Sequence, residues 1–352
     1  MRDELEILRG SGGESVTHHD TILVTGGSGL VGNNVVRQLL ARGNAVRVMV
    51  RGGHKPRVFD GLDAEVVAGD VTDPSAVRRA CEGVAAVIHA AAYVKLGRTQ
   101  LDVHRATNVE GTRNVAAAAR AVGARMIHVS SCDAIGTPSR NEPADEETPP
   151  SDRWVVPYAQ TKHEAELVVH DAVAAGLRAA IVNPGFMLGP WDWKPSSGRM
   201  LLEVARGRGW FAPRGCFSVC DARDVAGGIL AALDRGDAIP SGRRFILAGT
   251  TMTYVEAWRL FAEVTGARKP IGTVGPALAW LAGRCGDLVG AITGREPEIN
   301  SGVIAVAALR KNYSSARAEV ELGYRMRPPR DSATDAWQWF QEHGYAGKLT
   351  AT

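Results

Sequence analysis

Residues 21–32, Thr21-Ile22-Leu23-Val24-Thr25-Gly26-Gly27-Ser28-Gly29-Leu30-Val31-Gly32, limit the possible folds more than any other stretch. An apolar, β-branched run stops at a glycine. Glycine recurs at 26, 29 and 32, and an apolar helical pattern follows. The reading is strand, tight turn, helix start. Gly26 allows the backbone angles of the turn. Gly29 lets the backbone approach a pyrophosphate with no side chain between, and Gly32 lets the helix pack close on the strand. The N–H groups at the helix start, with the helix dipole behind them, then face an anion. A glycine triplet alone is a weak signal; between a strand and a helix it indicates dinucleotide binding. Ser28, Leu30 and Val31 join the three glycines as candidate cofactor contacts.

The pattern continues in βα units. A helix is expected over 30–42, with Val31, Val35, Leu39 and Leu40 inward and Gly43 at its C-terminal end. Strands are expected over 45–50, 64–68, 84–89 and 124–129, and helices from Asp73-Pro74 and over 101–122. This alternation argues for a doubly wound parallel sheet with its ligand at the carboxyl ends of the strands. The residue after the second strand is Arg51, and no acid follows until Asp60. A carboxylate here would bind a ribose 2′-hydroxyl and repel a 2′-phosphate, so its absence favours NADP(H) and leaves NAD(H) possible. Asp70, at the end of the third strand, suits either the adenine amino group or a cap on the next turn. Ala90, Ala91 and Ala92 after the fourth strand would let backbone lie against the cofactor, and His89 before them reads as satisfying a local hydrogen bond.

The chemistry is expected from Tyr158-Ala159-Gln160-Thr161-Lys162, which opens a helix reaching about Ala175. Tyrosine and lysine four apart share a helix face. An ammonium near the phenol would lower its pKa from about 10 towards neutrality. Tyr158 could then exchange a proton with a carbonyl or alcohol, while Ser131, from the end of the fifth strand, bonds the same oxygen.

These segments resemble the extended short-chain dehydrogenases/reductases, more narrowly the dihydroflavonol-reductase-like group of the NAD-dependent epimerase/dehydratase superfamily. The resemblance runs from Thr21 to about Phe340. It includes Gly69-Asp70-Val71-Thr72-Asp73, Asn108-Val109-Glu110-Gly111-Thr112, Asn183-Pro184-Gly185, Gly189-Pro190 and Asp221-Ala222-Arg223-Asp224-Val225-Ala226. It implies Tyr158 as acid/base, Lys162 as its electrostatic partner on the nicotinamide ribose, and Ser131 as the group that orients the substrate oxygen. Ser131 rather than Ser130 lies five residues before Gly136, as in the group's Ser-x-x-x-x-Gly. It further implies Asn108 behind a proton-relay water, Asn183 and Pro184 beside the nicotinamide, Asp70 and Val71 beside the adenine, and a homodimer through helices near 101–122 and 158–175. Sugar-nucleotide dehydratases of the superfamily carry Asp-Glu after the catalytic Thr. Here Cys132-Asp133 follows Ser131, which argues against water elimination.

The second half is less regular and reads as a smaller, mostly helical substrate domain. The expected division is a flexible tail over 1–20, a dinucleotide domain over 21–183 with 221–248 packing back on it, and a substrate domain from 184–220 and 249–345. Trp191 and Trp193 could stack on a flat ring or sugar, or form a hydrophobic lid. Arg199 could meet an anion or be a surface charge. Tyr93, Asp133 and Met187 complete the candidate substrate contacts. Residues 207–215 read as a flap. The apolar stretch 276–292, interrupted by Arg284 and Asp287, is too short and charged to span a membrane, and reads first as a core or pocket helix and second as a partner or membrane-surface helix.

Composition narrows the setting. With 41 basic against 38 acidic residues, the net charge of +3 gives no whole-chain argument for nucleic acid or membrane binding. Five cysteines without metal spacing, and no signal peptide, read as a cytoplasmic protein without metal. The expected function is interconversion of a ketone and a secondary alcohol. The alternatives are a nucleotide-sugar epimerase that retains its cofactor and, more remotely, a dinucleotide-sensing scaffold.

Overall fold

The structure, a computed structural model, describes residues 20–52, 57–136, 138, 142–294 and 296–346. The expected tail up to residue 19 and the 53–56 part of the basic loop lie outside them. In chain order the first half holds β1 (Thr21–Thr25), α1 (Leu30–Ala41), β2 (Ala45–Val50), β3 (Glu65–Ala68), α2 (Pro74–Cys81), β4 (Ala86–His89), α3 (Leu101–His104), α4 (Gly111–Ala121), β5 (Arg125–Val129), α5 (Pro157–Ala174) and β6 (Ala179–Pro184). The second half holds β7 (Phe186–Leu188), α6 (Gly198–Ala205), β8 (Phe211–Ala212), β9 (Cys216–Asp221), α7 (Ala222–Asp234), β10 (Arg243–Leu247), β11 (Thr250–Thr253), α8 (Tyr254–Thr265), β12 (Gly272–Thr273), α9 (Pro276–Thr293), α10 (Ser301–Ala307), α11 (Ala316–Leu322) and α12 (Pro329–Glu342).

Seven strands form one sheet in the order β10-β6-β5-β4-β1-β2-β3, and every pairing in it is parallel. Helices cover both faces, so the central strands are buried on both sides and carry continuous apolar runs, as in Ile22-Leu23-Val24 and Met126-Ile127. On one face Val24, Val35, Val36 and Ile88 pack with Val225 and Ile229 of α7. On the other, Leu23, Val87 and Met126 pack with Val115 of α4 and Val169 of α5. Strand order reverses between β1 and β4, which opens a crevice at their carboxyl ends. A smaller sheet, β11-β9-β7, packs with α6, α8 and α12 around Leu188, Phe217, Phe261, Trp337 and Phe340.

Two elements differ from the sequence reading. The helix expected over 101–122 is interrupted by a π-helical turn at Arg105–Glu110, which carries Asn108. The helix expected first as a core element, α9, is exposed along nearly its whole length, and only Gly283 is buried. Its small residues, not its large ones, face the protein. A Cβ on Gly283 or Gly286 would run into the chain at Ile299–Ser301 that leads into α10.

Candidate active site

The glycine turn joins β1 to α1. Gly26 has φ +72°, and a Cβ there would stand 2.5 Å from the Ala90 carbonyl carbon and the Ala91 nitrogen, so the turn fits against the end of β4 only without a side chain. Any Cβ on Gly32 would strike the Gly26 carbonyl oxygen, so this glycine sets how closely α1 approaches the turn. Gly29 caps α1 with no side-chain hydrogen bond, and a Cβ there would meet only the Gly26 oxygen at 3.4 Å. The first-turn N–H groups thus open onto the crevice as an anion cradle, which fits a pyrophosphate. Around it, Asp70 Oδ1 accepts hydrogen bonds from the N–H and hydroxyl of Thr72, fulfilling the capping role. Val71 is buried beside Gly111. Arg51 is exposed at the end of β2. His89 bonds Thr25 Oγ1 at 2.7 Å and Thr112 Oγ1 at 3.0 Å. Burial and the Lys162 charge push its pKa down to about 3, so it is neutral and structural.

At the ends of β5 and β6 the structure brings Ser131, Tyr158, Lys162 and Asn183 together. Pro157 sets the first turn of α5 and places Tyr158 at its start. Burial and the Asp133 carboxylate push the Tyr158 phenol above its ordinary value, while the nearby Ser131 hydroxyl pulls it down. This corrects the expectation of a phenol lowered by Lys162. The buried Lys162 ammonium donates to the Val129 carbonyl at 2.8 Å, and its own pKa is lowered to about 8 by burial, opposed by the Glu166 charge. One turn beyond Lys162, the fully buried Glu166 ties the strand ends together. Its Oε1 accepts from Ser130 Oγ at 2.5 Å and Asn183 Nδ2 at 2.6 Å, and Oε2 pairs with Arg244 of β10 at 2.9 Å. Ser130 is thereby engaged, and Ser131 is the serine that meets the tyrosine. Asn183 Nδ2 also donates to the Ser131 carbonyl at 2.9 Å. Asn183 Oδ1 is buried with no partner among the described residues, and Pro184 closes β6 beside it.

The Asn108 amide is spent on the protein. Its Oδ1 accepts from Tyr93 N–H at 2.7 Å, and its Nδ2 donates to the Tyr93 carbonyl at 3.1 Å and to Thr161 Oγ1 at 3.0 Å. It locks the loop after Ala92 onto the helix that carries Tyr158. The Tyr93 hydroxyl, at the rim, donates to Gln100. Asp133 pairs with Lys311 from the chain between α10 and α11. Met187 lies in β7, partly buried against the main core. Trp191, at φ +72°, and Trp193 pack with Trp339 and His343 of the C-terminal region, with the Arg37 guanidinium 3.3 Å above the Trp191 ring. Arg199 is exposed and pairs with Glu298. The structure therefore engages these tryptophans and this arginine with the protein, apart from the tyrosine site. Sequence reasoning missed Glu166, Arg244 and Lys311. Only Glu166 had a local signal, as a carboxylate on the Tyr158–Lys162 face at the same four-residue step.

An anion cradle at the switch point of a parallel sheet, with a tyrosine and a buried lysine two strands away, fits an NAD(P)-dependent oxidoreductase of the extended short-chain type. More narrowly, the chain belongs to the NAD dependent epimerase/dehydratase family, whose profile matches residues 22–248. A putative dihydroflavonol 4-reductase of Synechocystis is 33% identical over 93% of this chain and 96% of its own. Sterol demethylase protein B of Methylococcus capsulatus is 33% identical over 92% of this chain and 99% of its own. The crystal structure of the protein gox2253 superposes with a TM-score of 0.80 at 34% identity, covering 93% of this chain and 99% of that one.

Proposed function

We propose that the enzyme interconverts a ketone and a secondary alcohol on an apolar, ring-bearing substrate, with NADP(H) preferred over NAD(H). The observation that carries the reaction is the Tyr158 phenol beside the Ser131 hydroxyl at a strand end, with the buried Lys162 one helical turn along. The bound cofactor would supply or accept the hydride. The first-turn amides of α1 would hold its pyrophosphate, and Asn183 with Pro184 would border its nicotinamide. In reduction, the Ser131 hydroxyl orients the substrate oxygen, and the Tyr158 phenol gives that oxygen its proton as the new C–H bond forms. A phenol held above its ordinary pKa is protonated at neutral pH and so carries the proton that reduction needs. Glu166 and Asn108 touch neither reactant and position the groups that do. The names of the two relatives, one flavonoid and one sterol, support an apolar fused-ring substrate. Arg51, with no acid before Asp60, supports NADP(H).

The chain would work as two parts, residues 21–183 with 221–248 binding the cofactor and residues 184–220 with 249–345 shaping the substrate pocket. A cytoplasmic homodimer through α4 and α5 accompanies this reading, and light scattering that finds only monomer would remove the dimer. Titration with NADPH and NADH tests the cofactor preference: NADPH should bind more tightly, and Arg51→Glu should erase the difference. Reduction of a steroid or flavanone ketone, followed at the NADPH absorbance, should fall by about 10²–10⁴ in Tyr158→Phe with NADPH binding retained. Undiminished turnover in that variant would end the mechanism. Stoichiometric NAD(H) released from the denatured protein would favour the epimerase alternative.

A further inference from the structure

The helix α9 is built inside out. At about 100° per residue, Gly283, Gly286, Gly290 and Ala279 share one side, and it faces the protein at Ile299–Ser301. The opposite side carries Leu278, Leu281, Cys285, Leu288, Val289 and Ile292 over about 100° of arc, with no charge among them. Leu281 is 52% exposed, Leu288 62% and Ile292 76%. Trp280 flanks this stripe at 65% exposure, beside Arg284. In the chain before α9, Ile271 donates its N–H to the Trp210 carbonyl, and Ile271, Trp210 and Phe211 are exposed. A contiguous uncharged stripe of this kind, turned to solvent along a whole helix, is a candidate interaction surface.

We propose that this face docks the enzyme on a lipid bilayer surface, with α9 lying in the headgroup boundary. The inference deepens the reading above, because it rests on an apolar substrate that partitions into lipid. Two observations choose the bilayer over a second copy of the chain. The helix is about 27 Å long and about 10 Å wide, so its outer face offers about 270 Å², against about 800 Å² per partner in a stable dimer. An uncharged Leu/Val/Ile stripe, bordered by Trp280 and the Arg284–Asp287 pair, suits a helix in the interface plane, which needs only one apolar face immersed. No helix among the described residues is long and apolar enough to cross a membrane, so docking would be peripheral. The face also lies close to the chemistry. On its inner side α9 packs on α10, and Val306 of α10 belongs to the apolar cluster against which Tyr158 packs. The N-terminus of α10 in turn meets the loop after Tyr93, with Gly302 against the Leu96 carbonyl.

Flotation of the full-length protein tests this, with vesicles of phosphatidylcholine alone and of phosphatidylcholine mixed with phosphatidylglycerol. The wild type should float with the vesicles, and the triple variant Leu281→Ser, Leu288→Ser, Ile292→Ser should float at least about tenfold less. The variant should melt with the wild type and reduce a small water-miscible ketone at an unchanged rate, since these exposed side chains touch no part of the site. A wild type that stays at the bottom of the gradient overturns the proposal whatever the variant does, as does a variant that floats equally. A wild type that stays unbound and is dimeric, while the variant is monomeric, assigns the face to a second copy instead. Flotation is independent of turnover. A protein that floats but reduces no ketone keeps the docking surface and loses the proposed reaction, and the converse result does the opposite.

Discussion

Lys162→Met should make this protein more stable at neutral pH while disabling it. The ammonium is buried and its pKa is lowered from 10.5 to about 8, so the folded state holds the proton less tightly than the unfolded chain does. Above the unfolded value both states are neutral and the group contributes nothing. As pH falls from about 10.5 to about 8, the unfolded chain takes up a proton that the folded chain does not, and stability drops. Below about 8 both states are charged and the full cost remains. At 1.36 kcal/mol per pH unit this is of order 3 kcal/mol at pH 7. Methionine keeps the volume and removes the charge. It also loses the bond to the Val129 carbonyl, worth about 1 to 2 kcal/mol. The net expectation is a gain of about 1 to 2 kcal/mol at pH 7. The assay is urea unfolding of wild type and variant at pH 7 and pH 10.5, taken as a double difference so that other titrating groups cancel. The variant's advantage should be present at pH 7 and shrink at pH 10.5, while kcat/KM falls by at least about 10². A variant less stable at pH 7 by more than about 1 kcal/mol would refute the reasoning, because the lysine would then be a net structural asset.

Three further outcomes follow from the same geometry. Asp133→Asn removes the carboxylate that raises the Tyr158 phenol and leaves the Lys311 charge unpaired. Both effects lower the phenol, so the pH at which alcohol oxidation switches on should move down, and an unmoved or rising profile would count against the tyrosine as base. Glu166→Ala strands the half-buried Arg244 guanidinium and two buried donors. It should cost about 3 to 5 kcal/mol, seen as a lower urea midpoint with unchanged m, whereas Glu166→Gln should lose less because it still accepts at Oε1. Gly26→Ala must place a Cβ against the end of β4 at positive φ. It should abolish binding of either nucleotide, which calorimetric titration would show, and a normal Kd would mean that the turn yields where the structure says it does not.

How much was legible in the sequence depended on whether the signal was local. A βα repeat announces itself by period, so the parallel sheet, the glycine turn and the helix start at Asp73 could be read from neighbouring residues. Asp73 caps its helix with its side-chain hydrogen bond. The four-residue step by itself puts Tyr158 and Lys162 on one helix face. Their ionisation was not legible, because a pKa is set by what surrounds the group. Lys162 bonds a strand carbonyl thirty-three residues away, and the phenol meets Asp133 rather than the ammonium.

Apolar composition likewise told that residues 276–293 form a helix without telling which way it faces. Large residues ordinarily turn inward, and only the close approach of the chain before α10 to Gly283 and Gly286 turns them out. The pairings of Glu166 with Arg244 and of Asp133 with Lys311 span far greater lengths of chain, and only the folded sheet brings them together. Sequence alone determined the elements and the chemical groups they carry, because period and turn chemistry act over a few residues. Tertiary structure decided which groups are charged, which are engaged and which face solvent, because burial and long-range contact exist only once the chain has closed on itself.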